Sequence, residues 1–172
     1  MPPKPLVDLG GLDLETVQYD NNALDLYLPQ LHEMRQIHGI LHHDPAENLA
    51  IGYRDVSDDE FWCRGHFPSR PVFPGVLLVE SAAQVCVFLW RHQLGREQAP
   101  GRALLFGGID EAKFRDAVLP GQRVMMVAKA RTIRLRRSSY DCQGIVNGKI
   151  VFTGIITGLL GPAMPEIYPD GI

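Results

Sequence analysis

Between a histidine and a glutamate the chain reads Gly65-His66-Phe67-Pro68-Ser69-Arg70-Pro71-Val72-Phe73-Pro74-Gly75-Val76-Leu77-Leu78-Val79-Glu80. Pro68, Pro71 and Pro74 each fix φ, so the connection is stiff. An imidazole can take up a proton near neutral pH, and a carboxyl group deprived of water tends to keep one. His66 and Glu80 are therefore of the types needed for a general base and a general acid. Gly75 stands where a helix should begin. Its N–H has no intrahelical acceptor and is backed by the helix dipole, which suits it to a developing oxyanion. Gln84 lies one turn beyond Glu80 on the same face and makes with it a narrow polar stripe on an otherwise apolar helix. Such a set needs no metal and no redox cofactor. Plainer readings compete. A lone histidine near a turn is more often structural than catalytic, and a glutamate in an apolar helix often reaches an edge or an arginine.

The elements that must hold these groups follow from the pattern on either side. From Pro74 to about Gly95 apolar residues fall on every face, which predicts a helix buried nearly all round. Pro74 suits its first turn, Arg91 and His92 its last, and Gly95 its stop. Asn48–Val56 alternates loosely as a strand, after a turn at Asp44-Pro45. Residues 104–114, 123–136 and 140–160 hold extended runs. Asn147-Gly148 signals a type I′ hairpin turn and Pro120-Gly121 another turn. Asn21-Asn22 marks a break or a helix start. A long buried helix followed by several strands predicts an α+β fold in which an antiparallel sheet wraps the helix. One sheet covers one side only, so a second copy of the chain is expected to cover the rest. Residues 1–172 read as a single domain, with residues 1–25 an N-terminal extension that starts as a loose Pro- and Gly-rich lead-in, and 161–172 a flexible tail.

Composition narrows the class. The chain has 172 residues, 45% hydrophobic and 22% charged, with a formal net charge of −3. That is globular, and it lacks the basic excess of a general nucleic-acid binder. Three cysteines (Cys63, Cys86 and Cys142) with no C-x-x-C pair fit reduced thiols rather than a disulfide scaffold or zinc ribbon. No apolar run is long enough to span a membrane, and the start lacks a signal-peptide pattern, so a cytoplasmic protein is expected. His38, His42 and His43 cluster in sequence, yet no cysteine or acid completes a metal set at convincing spacing. Cys63 near His66 reads as structural rather than as a nucleophile.

The pattern Gly65-His66-Phe67-Pro68-x-Arg70-Pro71-x-x-Pro74-Gly75-Val76-Leu77-x-x-Glu80-x-x-x-Gln84 resembles the signature of the FabZ/FabA-type β-hydroxyacyl-[acyl carrier protein] dehydratases. Gly107-Gly108-Ile109-Asp110-x-Ala112-Lys113-Phe114, Val118-x-Pro120-Gly121 and Asn147-Gly148-Lys149-Ile150-Val151 continue it in register, from roughly Leu28 to Gly158. Glu80, where FabA-type enzymes carry Asp, places it nearer the FabZ branch. The resemblance implies a hot-dog fold, a homodimer whose active sites each take His66 from one subunit and Glu80 from the other, and further assembly as a trimer of dimers. It implies that His66 removes the α-proton of a β-hydroxyacyl thioester, that the Gly75 N–H polarises the thioester carbonyl, and that Glu80 protonates the departing hydroxyl. The Val72 carbonyl would orient His66, whose bond to Phe67 can be cis in the family. The substrate would arrive on the phosphopantetheine arm of acyl carrier protein, with no resident cofactor, in fatty-acid or related acyl-chain biosynthesis.

An acyl chain needs an apolar channel, for which Phe73, Val76, Phe88 and Phe106 are candidates, although each alone is more simply core. An acidic carrier calls for a basic surface, which Lys113, Arg115, Arg131, Arg134, Arg136 and Arg137 could supply; the last four also suit the solvated face of a strand. The resemblance departs at Leu28-Pro29-Gln30-Leu31-His32-Glu33-Met34-Arg35-Gln36-Ile37-His38-Gly39, where the family carries Leu-Pro-His-Arg-x-Pro-Phe-Leu-Leu-Val-Asp-Arg, and at Ser69, which replaces a glycine. The first departure bears on tunnel entrance, substrate and oligomer and leaves the catalytic pair untouched. Two other classes compete: a hot-dog thioesterase, and a noncatalytic acyl-binding or assembly paralogue, for which a buried acid would serve no purpose.

Overall fold

The computed structural model describes residues 3–164, apart from the side chains of residues 95–97. Among them, six strands form one antiparallel sheet in the order β1-β2-β4-β5-β6-β3. The strands are β1 (Gly39–Asp44), β2 (Leu49–Asp55), β3 (Arg102–Phe114), β4 (Arg123–Thr132), β5 (Arg137–Val146) and β6 (Lys149–Ala163). A short helix α1 (Asn21–Leu24) and a 3-10 turn (His32–Met34) precede the sheet, and the long helix α2 (Gly75–Gln98) packs against β2 through β6. This is the hot-dog arrangement, an α+β fold with a central helix held by a curved sheet.

The apolar character of α2 all round has a direct structural counterpart. From Ser81 to Arg91 every residue is buried, with Phe88 and Trp90 fully so. Burying a side chain of that size contributes about 1.5–3 kcal/mol. Gly95 does not stop the helix, which runs on to Gln98. An interior glycine costs only about 1 kcal/mol, whereas Pro100 cannot continue a helix and Gly101 takes a left-handed φ of 59°. The hairpin between β5 and β6 turns at Asn147 and Gly148, both with positive φ (48° and 75°), as a type I′ turn requires. Pro120 and Gly121 form the other turn, with Gly121 at φ 86° and Gln122 N–H donating to the Leu119 carbonyl (3.2 Å).

The N-terminal segment is not a loose lead-in. Leu6, Val7, Leu9, Leu12 and Leu14 pack on Leu49, Ile51, Val127 and Ile145, a second apolar cluster separate from the one around α2. Gln143 clamps the segment, accepting from the Leu6 N–H (3.0 Å) and donating to the Lys4 carbonyl (2.8 Å). The physical reason lies in β2, β4 and β5: Leu49, Ile51, Val127 and Ile145 form an apolar patch outside the cluster around the helix, and that patch also needs cover. Tyr19 then bridges to Ile40 of β1, and the Asp20 carboxylate caps α1 by accepting from the Ala23 N–H at 2.8 Å. At the other end, β6 extends to Ala163, three residues into the segment read as a tail; residues 165–172 lie outside the described residues.

Candidate active site

The histidine loop is held by its own backbone. The N–H groups of Gly65 and His66 donate to the Trp62 carbonyl (3.0 and 2.8 Å), and the Val72 N–H donates to the His66 carbonyl (2.8 Å). Phe67 and Arg70 exchange N–H to carbonyl bonds (3.3 and 3.0 Å) across Pro68-Ser69, and the His66–Phe67 peptide bond is cis. Nδ1 of His66 lies 2.7 Å from the Val72 carbonyl oxygen. A carbonyl only accepts, so Nδ1 carries the proton and Nε2 presents its lone pair. The side chain is half-buried, with the Phe67 ring stacked on it at 4.2 Å between centroids.

A buried brace supports this loop from behind. The Arg54 guanidinium of β2 pairs with the Glu60 carboxylate, which also accepts from Trp62 Nε1 (2.8 Å) and the Ser57 N–H (2.9 Å). Trp62 packs edge-on against Phe73, and Arg54 lies 5.2 Å over the Phe73 ring. Phe73 is thus core between Trp62 and Arg54, while its N–H ties the loop to the Val118 carbonyl (2.8 Å). Cys63 is buried with its thiol toward the Ser57 carbonyl at 3.5 Å.

Gly75 is the first residue of α2. A Cβ there would come within 3.0–3.3 Å of the Phe114 ring of β3, so the missing side chain lets that ring lie close. Glu80 sits five residues on, about 7.5 Å along the helix axis. Its Oε1 accepts from Gln84 Nε2 (2.8 Å) and from Gln30 Nε2 (3.3 Å). Partial burial pushes its pKa above the ordinary carboxylate value, and the two donated bonds only partly oppose the rise. Gln84 is itself locked, donating to the Met34 carbonyl (2.6 Å) and accepting from the Gln36 N–H (2.8 Å).

Glu80 and Phe106 line a cleft of about 40 Å³ between α2, β3 and β6, walled by Leu104, Leu105, Val87 and Ile156. Phe106 and Val76 are 51% and 74% exposed, whereas Phe88 is fully buried among Tyr19, Tyr27, His43 and His92. His66 is thus held by Val72, and Glu80 by Gln84 and Gln30 beside a cleft that Phe106 also lines, with Gly75 at the start of the helix that carries the acid. Among the described residues, none of the hydrogen bonds to Glu80 comes from the histidine loop.

Sequence reasoning missed Gln30, which shares Glu80 Oε1 with Gln84 and lines the same cleft. Its backbone is held by Arg35, whose Nε donates to the Gln30 carbonyl (3.0 Å) while its other nitrogens reach Asp25, Leu28 and Asn21. Only the departure of this segment from the family pattern pointed to it. Of the three clustered histidines, His38 Nδ1 accepts from the Asp55 N–H (3.3 Å), and His43 lies 4.2 Å from the His92 ring. Among the basic residues, Arg131 is committed to a two-point pair with Asp141 (2.9 and 2.7 Å), and Lys113, Arg115, Arg134, Arg136 and Arg137 are exposed.

Comparison with known proteins gives the site a context. The profile of the FabA-like domain matches residues 28–155. The 3-hydroxyacyl-[acyl-carrier-protein] dehydratase FabZ of Streptococcus gordonii is 31% identical over 142 residues, covering 83% of this chain and 98% of that enzyme. The FabZ dehydratase of Teredinibacter turnerae is 35% identical over 130 residues, 76% and 88% of the two chains. Among solved structures, a chain of the dehydratase heterocomplex ApeI:P from Xenorhabdus doucetiae superposes with a TM-score of 0.66 at 19% identity, over 81% of this chain and 91% of that one.

Proposed function

The chain belongs to the FabA-like family, nearer its FabZ-type dehydratases, and on that premise we propose that it converts β-hydroxyacyl thioesters on acyl carrier protein to trans-2-enoyl thioesters. The observation that carries the reading is the environment of Glu80: a carboxyl group held by Gln84 and Gln30 in an apolar cleft, whose burial raises its pKa above the ordinary carboxylate value and so favours its proton-carrying form. His66 Nε2 takes the α-proton. The Gly75 N–H donates to the thioester oxygen as charge gathers there. Glu80 gives its proton to the β-hydroxyl, the C–O bond breaks, water leaves and the C=C bond forms. The proton on His66 returns to Glu80 through solvent or product water, which resets the pair. The steps are proton transfers and one C–O cleavage, with no net oxidation or reduction, so the chemistry calls for no resident cofactor; the substrate arrives on its phosphopantetheine arm.

A homodimer completes the site in this reading, with His66 of one protomer facing Glu80 of the other. Two features support it: among the described residues no hydrogen bond joins the histidine loop to Glu80, and β3 is a long edge strand. Leu105, Phe106 and Phe114 on β3, with Leu159 beside them, are each about half exposed, and β3 has one unpaired edge. An uncovered edge of 13 residues invites pairing with a second copy. A trimer of dimers extends the same logic. The exposed Lys113 and Arg115 at the end of β3 suit docking of an acidic carrier protein. No described helix is long and apolar enough to cross a membrane, and the function proposed is a cytoplasmic one.

The test is turnover. The purified protein, given β-hydroxyacyl carrier-protein substrates of graded chain length, should generate the ultraviolet absorbance of a conjugated enoyl thioester. Release of free thiol from a plain acyl thioester, without enoyl absorbance from the hydroxyacyl substrates, would make the chain a thioesterase instead.

A further inference from the structure

We propose that Gln30 is a further catalytic residue, one that receives the β-hydroxyl of the substrate through its side-chain oxygen while Glu80 protonates the same group. The inference rests on the dehydratase reading above and adds to it a residue that lies outside the histidine–glutamate signature.

Three observations meet at this side chain. Gln30 Nε2 donates to Glu80 Oε1, which fixes the amide beside the acid. Gln30 Oε1 is buried and has no partner among the described residues. A buried acceptor left without a donor is unfavourable, and a native site tends to retain one where a ligand supplies the missing group. Gln30 also lines the cleft with Glu80, in a wall that is otherwise apolar apart from Thr157 and the Cys86 thiol, which is turned to Cys142. A void of about 40 Å³ has room for a group the size of a hydroxyl or a water.

The two amides around Glu80 are not equivalent. Gln84 has its nitrogen and its oxygen both bound to protein, at Glu80, Met34 and Gln36, so it can only hold the acid in place. Gln30 alone keeps an unused atom. A hydroxyl group has one hydrogen to donate and lone pairs to accept. Set between the two residues, it would give its hydrogen to Gln30 Oε1 and take the Glu80 proton on a lone pair. As the C–O bond breaks, the departing water keeps both hydrogens and stays bound to Gln30 until it leaves. An acyl chain without the hydroxyl would leave Gln30 Oε1 unpaired, which makes this residue a discriminator between hydroxyacyl and plain acyl chains.

Gln30→Met keeps the length of the side chain and removes the acceptor. The probes are 3-hydroxyoctanoyl, octanoyl and trans-2-octenoyl thioesters of acyl carrier protein, with turnover followed for the first and dissociation constants for the other two. The expected result is a drop of about 10- to 100-fold in kcat/KM for the hydroxyacyl substrate, with affinity for the two ligands lacking a hydroxyl changed less than about threefold. A drop shared equally by all three ligands, or no drop, would overturn the inference. If Gln30→Met does not fold, Gln30→Glu keeps an acceptor oxygen at the same reach. Retained preference for hydroxyacyl over plain acyl supports the inference, and loss of it contradicts it. Absence of turnover in the unaltered protein sinks the dehydratase reading first, which separates that failure from failure of the role of Gln30.

Discussion

The carbonyl oxygen of Val72 lies 2.7 Å from Nδ1 of His66, and this contact decides which ring nitrogen is free to accept a proton. The loop between the two residues closes on itself through the Val72 N–H and the His66 carbonyl, so the imidazole is oriented before any substrate arrives. His66→Ala is expected to lower dehydration at least ~100-fold while leaving the melting temperature little changed, because the loop is held by backbone bonds. Steady-state kinetics and a thermal melt on the same preparation check both halves.

Glu80→Gln should cost at least ~100-fold in turnover, since an amide cannot deliver the proton. It should also stabilise the fold at high pH. The folded-state pKa of Glu80 is raised, so its folded form binds the proton more tightly than its unfolded form. That contribution is fully present below the ordinary carboxylate value and is lost as pH rises through the raised one. Glutamine is neutral throughout and can still accept from Gln84. The variant should therefore melt above the parent at pH 8, and the gap should close as pH falls to the ordinary carboxylate value.

The aromatic cluster behind α2 predicts an acid-labile joint. Burial, and next the neighbouring His92, hold the His43 pKa down to about 4. Its unfolded form takes up a proton below the ordinary histidine value near 6.5, while the folded form does not until about 4. Stability should fall as pH drops through that window. In His43→Phe, denaturant midpoints measured from pH 7 to pH 4 should decline less steeply than in the parent.

Gln143 makes two hydrogen bonds to the backbone of the N-terminal segment. Gln143→Ala should cost about 1–2 kcal/mol in denaturant unfolding. Removal of residues 1–14 should do more, because Leu49, Ile51, Val127 and Ile145 lose their cover. Dye binding and concentration-dependent light scattering should both increase.

The reach of sequence reasoning here follows the range of the forces involved. The helix from Gly75, the hairpin at Asn147-Gly148 and the run from His66 to Glu80 were legible because each is set by neighbours a few residues apart. The seating of residues 6–14 was not: it answers to apolar residues on the outer faces of three strands, scattered from Leu49 to Ile145, with no periodic mark in the segment itself. Gln30 and Glu80 are 50 residues apart, and nothing local to Gln30 announces an acid beside it. Glu60 is the hub joining Arg54, Trp62 and Ser57, and nothing local sets it apart from its neighbours Asp58 and Asp59. Phe73 was a candidate channel wall by proximity, but the chain packs it between Trp62 and Arg54, because an aromatic next to a proline turn can serve the loop's own core.

Mixing His66→Ala with Glu80→Gln tests the central claim most directly, namely that the two residues act as base and acid contributed by two protomers. Each variant alone is expected to be inactive. After the two are unfolded and refolded together in equal amounts, half of the dimers should be mixed, and each mixed dimer holds one intact site. Enoyl thioester formation should then return to about one quarter of the unaltered rate. Continued inactivity in a mixture that native mass spectrometry shows to contain mixed dimers would contradict the account.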